Sequence, residues 1–340
     1  MADNFTFPGG GTQTYVPQLH GDLIVEYSRN PAKFPINRYI NVRKVDKMLG
    51  YYVQMRNDGQ ARFVNEQDVL WPDGNDAPVL NYGTDEFDFK SYACVRRAYT
   101  ARLGYLGVDQ AAWYILAQQA RFKAQLGMTH RSKRVASTLT TSANWGGNVG
   151  NASTLGGATW AAATSATPAI RSSIMKALIN VQLATLASVD MHDYYLVFNP
   201  NTAKVVATSQ EWIDFIKQSP ESINIWKGEA QYSKYNIPEQ LFGINAVVDD
   251  TVYNSAGVNQ TPTFSYTFPD NVAVLLTKQQ AVQPSAGAAF STFELFAYQE
   301  FETFVYNDVV NRRYDLQVVE NVADNFVFAP SSGYMINTNS

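Results

Sequence analysis

Short runs dominated by apolar residues mark the second half of the chain: Tyr194 to Phe198, Ile244 to Val248 and Val272 to Leu276. Such runs are the mark of strands covered on both faces. After them the pattern turns to alternation. Residues 293–306 and 314–328 are predicted to be two long strands, joined through Asn307-Asp308 to Arg313. In the first, Phe293, Leu295, Ala297, Phe301 and Val305 share one face, and Glu294, Glu300 and Glu302 share the other. Helical spacing is clearest over residues 109–136, with Asp109 as the N-cap and Ala112, Ile115, Leu116, Gln119, Phe122, Lys123 and Leu126 in register. Gly127 is where this helix would bend or end. A second helix starts with Thr167 as cap and Pro168 at its first position, and Ile170, Ile174, Leu178, Val181 and Leu186 form its apolar face. Thr208 and Glu211 have the spacing of a capping box, with Trp212, Phe215 and Ile216 inward and Ser219-Pro220 as the stop.

The remaining stretches lack these periods. Residues 1–38 read as an extended arm, since Phe7-Pro8-Gly9-Gly10-Gly11-Thr12 cannot hold a helix and Pro17, Pro31 and Pro35 interrupt the rest. The arm keeps apolar residues such as Tyr15, Val16, Leu23 and Ile24, so it is expected to lie on its own domain or on a neighbour. Residues 39–95 read as strands and hairpins. Tyr51 to Arg56 and Gln60 to Val64 flank Asn57-Asp58-Gly59, and an Asp-Gly pair between β-rich runs signals a hairpin. The segment is rich in Tyr and Phe and poor in aliphatics. It could hardly form a core alone, which predicts an extension that packs on another body. Residues 137–167 contain no charged side chain and read as a long irregular loop. No internal repeat is present.

Composition narrows the class. Charged residues make up 16% of the 340, against about 25% in typical domains, while hydrophobic residues reach 46% and aromatics 13%. This excludes a disordered chain and suggests surface that is either polar and uncharged or covered by partners. A net charge of −4 argues against a dedicated nucleic-acid binder. The single cysteine, Cys94, allows no internal disulfide. Met1 to Gln18 lacks the pattern of a secretory leader, and no apolar run approaches the ~18 residues of a membrane span. A soluble protein made inside a cell, without membrane contact, is expected.

No catalytic or cofactor constellation emerges. Asp190, His192 and Asp193 invite a metal reading, but common sites need three protein ligands and no second cluster is evident, so no metal is expected. Cys94 has Arg96 and Arg97 nearby yet no base to activate it, and reads as a small, partly buried strand residue. Gly146-Gly147-Asn148-Val149-Gly150 is not followed by Gly-Lys-Ser/Thr and is no phosphate loop. No cofactor and no enzymatic activity are expected. Arg121, Lys123, Arg131, Lys133 and Arg134 make one half of the long helix basic without a neighbouring acid, which fits a solvated face, a contact with an acidic subunit surface, or a salt-sensitive DNA contact.

The order of elements (arm, aromatic hairpin extension, long helix, uncharged loop, second helix, α/β insert, long C-terminal strands) resembles the major capsid proteins of tailed bacteriophages, the Hong Kong 97-type (HK97-like) α+β fold. By that resemblance residues 1–38 are the N-terminal arm and 39–95 the region of the E-loop. Residues 96–190 are the P-domain with its spine helix over 109–136, 191–290 the A-domain, and 291–340 the return strands of the P-domain. Tyr194 to Pro200, the helix from Thr208 to Lys217, and Phe242 to Asp249 are the segments that carry the A-domain likeness. The resemblance implies self-assembly into hexamers and pentamers of an icosahedral virion, built in the host cytoplasm around double-stranded DNA held by weak contacts. It also implies a portal, a separate scaffolding protein and a decoration or cement protein as partners. Candidate inter-subunit contacts are Tyr51, Tyr52, Met55, Arg56 and Phe63 in the extension. Arg131, Lys133 and Arg134 would face the acidic side chains of Glu294, Glu300 and Glu302 in a neighbour, or else the shell interior. Three other classes remain: an encapsulin-type compartment, distinguished by protein cargo; a divergent α/β enzyme, distinguished by a deep polar pocket in a monomer; and a carbohydrate-binding tail module, distinguished by trimeric β-structure.

Overall fold

A computed structural model describes residues 3–6, 12–15, 34–55, 73, 87–110, 114–185, 191–218, 235–257, 260–278, 291–323 and 330–340. A hairpin of β1 (Asp3–Thr6) and β2 (Thr12–Tyr15) comes first. One helical turn, α1 (Ile36–Tyr39), leads to β3 (Asn41–Lys44), β4 (Leu49–Met55), β5 (Phe87–Ala93) and β6 (Val95–Gly104). The short α2 (Tyr105–Asp109) and the long α3 (Ile115–Leu139) follow, then β7 (Val149–Asn151), α4 (Ala152–Gly156) and α5 (Ala169–Thr185). Next come β8 (Tyr194–Phe198), α6 (Pro200–Thr208), α7 (Gln210–Gln218), β9 (Gln240–Leu241), β10 (Ile244–Val248), β11 (Val252–Asn254), β12 (Phe264–Tyr266) and β13 (Val272–Thr277). The chain closes with β14 (Glu294–Asp308), β15 (Arg313–Ala323) and β16 (Tyr334–Asn337).

One sheet has six strands in the order β7-β16-β13-β8-β10-β9. The three apolar runs of the sequence are its central strands, and both faces are covered as their composition requires. Leu196, Phe198, Ile244, Ala246, Ala273, Leu275 and Ile336 point to a layer of α5, α6 and α7. The residues between them, Val197, Val247, Val274 and Met335, point to the end of α3 and to the segment 34–40. Each inward aliphatic contributes about 1.5–3 kcal/mol by leaving water.

The region 137–167 is not an irregular loop. Trp145 and Trp160 are fully buried; the Trp145 indole donates to Leu139 O at 2.7 Å and that of Trp160 to Ser173 Oγ at 2.9 Å. The region's strand β7 edges the sheet beside β16. The chain's last strand, expected to return to the other domain, also lies in the six-stranded sheet. The capping box is likewise replaced. Ser209 Oγ, not Thr208, accepts from Trp212 N at 3.3 Å. Glu211 is buried and caps a different helix, accepting from Ile170 N at 2.8 Å and Arg171 N at 2.9 Å at the start of α5.

The second sheet has the order β3-β14-β15-β6, with β14 and β15 forming the expected long antiparallel pair. Helix α3 lies on the face carrying Leu295, Phe301, Val305, Leu316 and Val318. It starts six residues later than expected, because Asp109 closes the separate helix α2. Its buried face is also rotated: Ala120, Ala124, Gly127, Met128, Arg131, Val135 and Leu139 point inward, while Phe122 is exposed. Small residues decide this. A Cβ at position 127 would lie 2.6 Å from the Phe301 ring, so glycine lets the helix settle on the large side chains of the sheet.

Candidate functional site

The hairpin of β4 and β5 has two unlike faces. Its register pairs Leu49 with Ala93, Tyr51 with Ser91 and Tyr52 with Lys90. On the inner face Tyr52 and Tyr92 pack on Phe296, with ring centroids 5.4 and 5.0 Å apart, and Cys94 and Ala323 complete a small separate cluster. Gly50 makes room for the Tyr92 ring, since a Cβ there would lie 2.6 Å from its hydroxyl oxygen. On the outer face Leu49, Tyr51 and Phe89 are 69%, 77% and 70% exposed. Three large apolar side chains on one exposed face of a hairpin have no partner within the described chain, and covering them would contribute roughly 5–9 kcal/mol. Leu49 and Phe89 were not singled out by sequence reading, because Phe89 comes from a strand far along the chain. β4 pairs with Phe87–Ala93, and Gln60–Val64, the other half of the expected hairpin, lies outside the described residues. Arg56, Phe63 and the Asp58-Gly59 turn lie outside the described residues, as does the side chain of Met55.

Of the basic residues of α3, Arg131 is buried and Arg134 half-buried, while Arg121 and Lys133 are exposed. Glu320, fully buried on β15, accepts from Arg131 Nε and Nη2 at 3.2 Å and from Arg134 Nη2 at 2.6 Å. Tyr99 Oη donates to the same carboxylate at 3.2 Å, and the Arg131 guanidinium stacks 4.5 Å over the Phe301 ring. Arg131 and Arg134 are therefore ion pairs within one subunit, which corrects their expected role as charges facing a neighbour. The sequence shows no acid beside these charges because the acid that pairs Arg134 comes from a strand 186 residues away. His130 beside them has its pKa lowered, by burial first and then by Arg134, with Lys133 and Arg97 acting the same way. Lys133 remains exposed, its Nζ 4.0 Å over the Tyr253 ring.

The acidic face is divided in the same way. Glu294 is buried and paired with Arg43 Nε at 3.2 Å; burial raises its pKa and Arg43 opposes the rise. Glu300 is half-buried, and Glu302 is exposed and hydrogen-bonded to Gln299, because register shifts between Ala297 and Glu302 break the alternation. Of the acids, Glu302 alone stands as an open surface charge. His192 and Asp193 lie exposed before β8, and Asp190 is outside the described residues. Among the described residues no group of three His, Cys, Asp or Glu could hold a metal ion. Cys94 is buried, with its thiol toward Phe296 O.

Comparison by sequence finds no matching family model and no matching curated protein. Comparison by structure finds many. A phage-related protein from Bordetella bronchiseptica RB50 superposes with a TM-score of 0.60 at 13% identity, over 93% of this chain and 96% of that one. The capsid of cyanophage P-SCSP1u gives 0.52 at 10% identity, over 88% and 87%. The mature capsid of bacteriophage PhiM1 gives 0.51 at 11% identity, over 87% and 84%. The long helix on long strands, the six-stranded sheet and the projecting hairpin are thus the elements of one known architecture: the chain has the Hong Kong 97-type fold of phage capsid structures.

Proposed function

We propose that the chain is a major capsid protein, forming hexamers and pentamers of an icosahedral head that encloses double-stranded DNA. The observation that carries this reading is the exposed apolar face of the β4–β5 hairpin, on a chain whose fold is that of phage capsid structures. A lone subunit would leave Leu49, Tyr51 and Phe89 in water; a neighbour in a shell covers them. Obligate interfaces are large and comparatively apolar, which agrees with a chain only 16% charged. In this reading the segment between the two hairpin strands is the E-loop, and Tyr51, Lys133, Glu300 and Glu302 are the remaining contact candidates. Arg131, Arg134 and Glu294 act inside the subunit.

Sedimentation and electron microscopy of the purified chain at rising concentration test the proposal. Capsomers or closed shells are the expected outcome, and Tyr51→Ser with Phe89→Ser should weaken assembly while the subunit stays folded. A monomer at every concentration and salt level would refute the reading.

A further inference from the structure

Helix α5 is apolar on two sides. Ile170, Ile174, Leu178 and Val181 are buried in the cluster that joins the helix to the six-stranded sheet. On the opposite side Met175, Ile179 and Leu183 recur at every fourth position and are 40%, 52% and 68% exposed. A helix at a protein surface ordinarily turns polar residues outward, and one that is apolar all round is covered all round. At 1.5 Å per residue the exposed stripe runs about 12 Å along the helix. The helix holds no acid: its charged side chains are Arg171 and Lys176, both exposed. Lys176 Nζ reaches the Thr154 carbonyl oxygen at 3.4 Å, and among the described residues no carboxylate forms an ion pair with either side chain.

A patch of the opposite charge stands on the other sheet. The register shifts of β14 between Ala297 and Glu302 leave Tyr298 and Glu302 exposed, with Glu300 half-buried between them. Glu302 accepts from Gln299 Nε2, and neither glutamate pairs with a cation among the described residues. β14 belongs to the four-stranded sheet and α5 packs on the six-stranded one, so the two patches are separate surfaces of one chain.

We propose that the α5 stripe of one copy docks on the Tyr298–Glu302 patch of the next copy, with Lys176 and Arg171 meeting Glu302 and Glu300. The proposal rests on the reading of the chain as a shell subunit, and it names a surface by which neighbours join. Charge selects the partner patch. Two α5 helices packed on each other would put two Arg171 and two Lys176 side chains into one interface without an acid. The β14 patch of a second copy supplies the acids, and its Tyr298 ring is a favourable neighbour for the Met175 sulfur. Because the two patches differ, the contact runs head to tail. Such a contact closes into a ring or continues as a filament. Closed rings are the hexamers and pentamers of the proposed shell.

Charge reversal in the whole chain tests the contact, with sedimentation reading the concentration at which half of the protein assembles. Lys176→Glu and Glu302→Lys each set like charges against each other and should each raise that concentration about fivefold. In an equimolar mixture the two variants can alternate so that every contact pairs opposite charges. Assembly of the mixture should return to within about twofold of the unaltered chain, a rescue that a misfolded subunit would not show. Ile179→Ser removes apolar contact and no charge, and should raise the same concentration about tenfold. Shells that form at an unchanged concentration in any of the three variants would overturn the contact and leave the capsid reading standing. Weakening by the two reversals that their mixture does not relieve would assign these charges to other surfaces and overturn the pairing. A chain that stays monomeric at every concentration would overturn both the contact and the capsid reading.

Discussion

Replacing Glu320 by glutamine should unseat the long helix more than any surface change on it. The carboxylate is fully buried and takes hydrogen bonds from Arg131, Arg134 and Tyr99. The amide keeps the volume but removes the charge, leaving the Arg131 guanidinium, only 5% exposed, without a counter-ion. Breaking a buried pair from one side costs about 3–5 kcal/mol. Arg134 softens this, because its side chain is 20% exposed and can turn toward water, so the lower end of the range applies. At about 2.1 cal/mol/K per residue, the 340-residue chain loses roughly 0.7 kcal/mol per kelvin near its midpoint. A cost near 3 kcal/mol should therefore lower Tm by about 4 °C. Calorimetry of unassembled subunits reads this directly.

A companion variant separates charge burial from packing. Arg131→Met with Glu320→Leu removes both charges and keeps apolar contact with Phe301. Such replacements of buried pairs are often neutral or stabilising, so the double variant should melt above Glu320→Gln. If Glu320→Gln costs under about 1 kcal/mol, or the double variant melts lower still, the cluster is not what fixes the helix to the sheet.

Gly127→Ala sets helix propensity against space. Alanine gains about 1 kcal/mol in a helix interior, but its Cβ would stand 2.6 Å from a Phe301 ring that Arg131 covers on its own side. Overpacking costs about 1–3 kcal/mol, so a net loss near 1 kcal/mol is expected in a urea titration. Glu211→Gln should flatten the pH dependence of the same titration. Burial raises the Glu211 pKa against the hydrogen bonds from Arg171 and Ile170, so the native state holds the proton more tightly. Stability then falls as pH rises from about 4.5, and a glutamine removes that slope.

What the sequence showed and what it hid follow from the range of the interactions involved. The central strands β8, β10 and β13 were legible because burial on both faces leaves a local apolar run. The long strands β14 and β15 were legible from alternation. The buried face of α3 was not, since Phe122 satisfies the helical spacing as well as Ala124 does. Only the size of Tyr99, on the strand before the helix, and of Phe301, far along the chain, selects the small residues. Charge was misread for the same reason. Arg131 and Arg134 carry no nearby acid in sequence, and Glu320 meets them across a sheet; likewise Glu211 looks like a local cap and serves a helix 40 residues earlier. The exposed apolar face of the hairpin was half visible. Tyr51 stood out as an aromatic residue on a strand with no core of its own, but Leu49 and Phe89 join it only once β4 pairs with β5. Local pattern thus identifies which residues leave water. Which partner receives them is decided by pairing at long range, within the subunit for Tyr52 and Tyr92 on Phe296, and between subunits, in the proposed shell, for the face behind them.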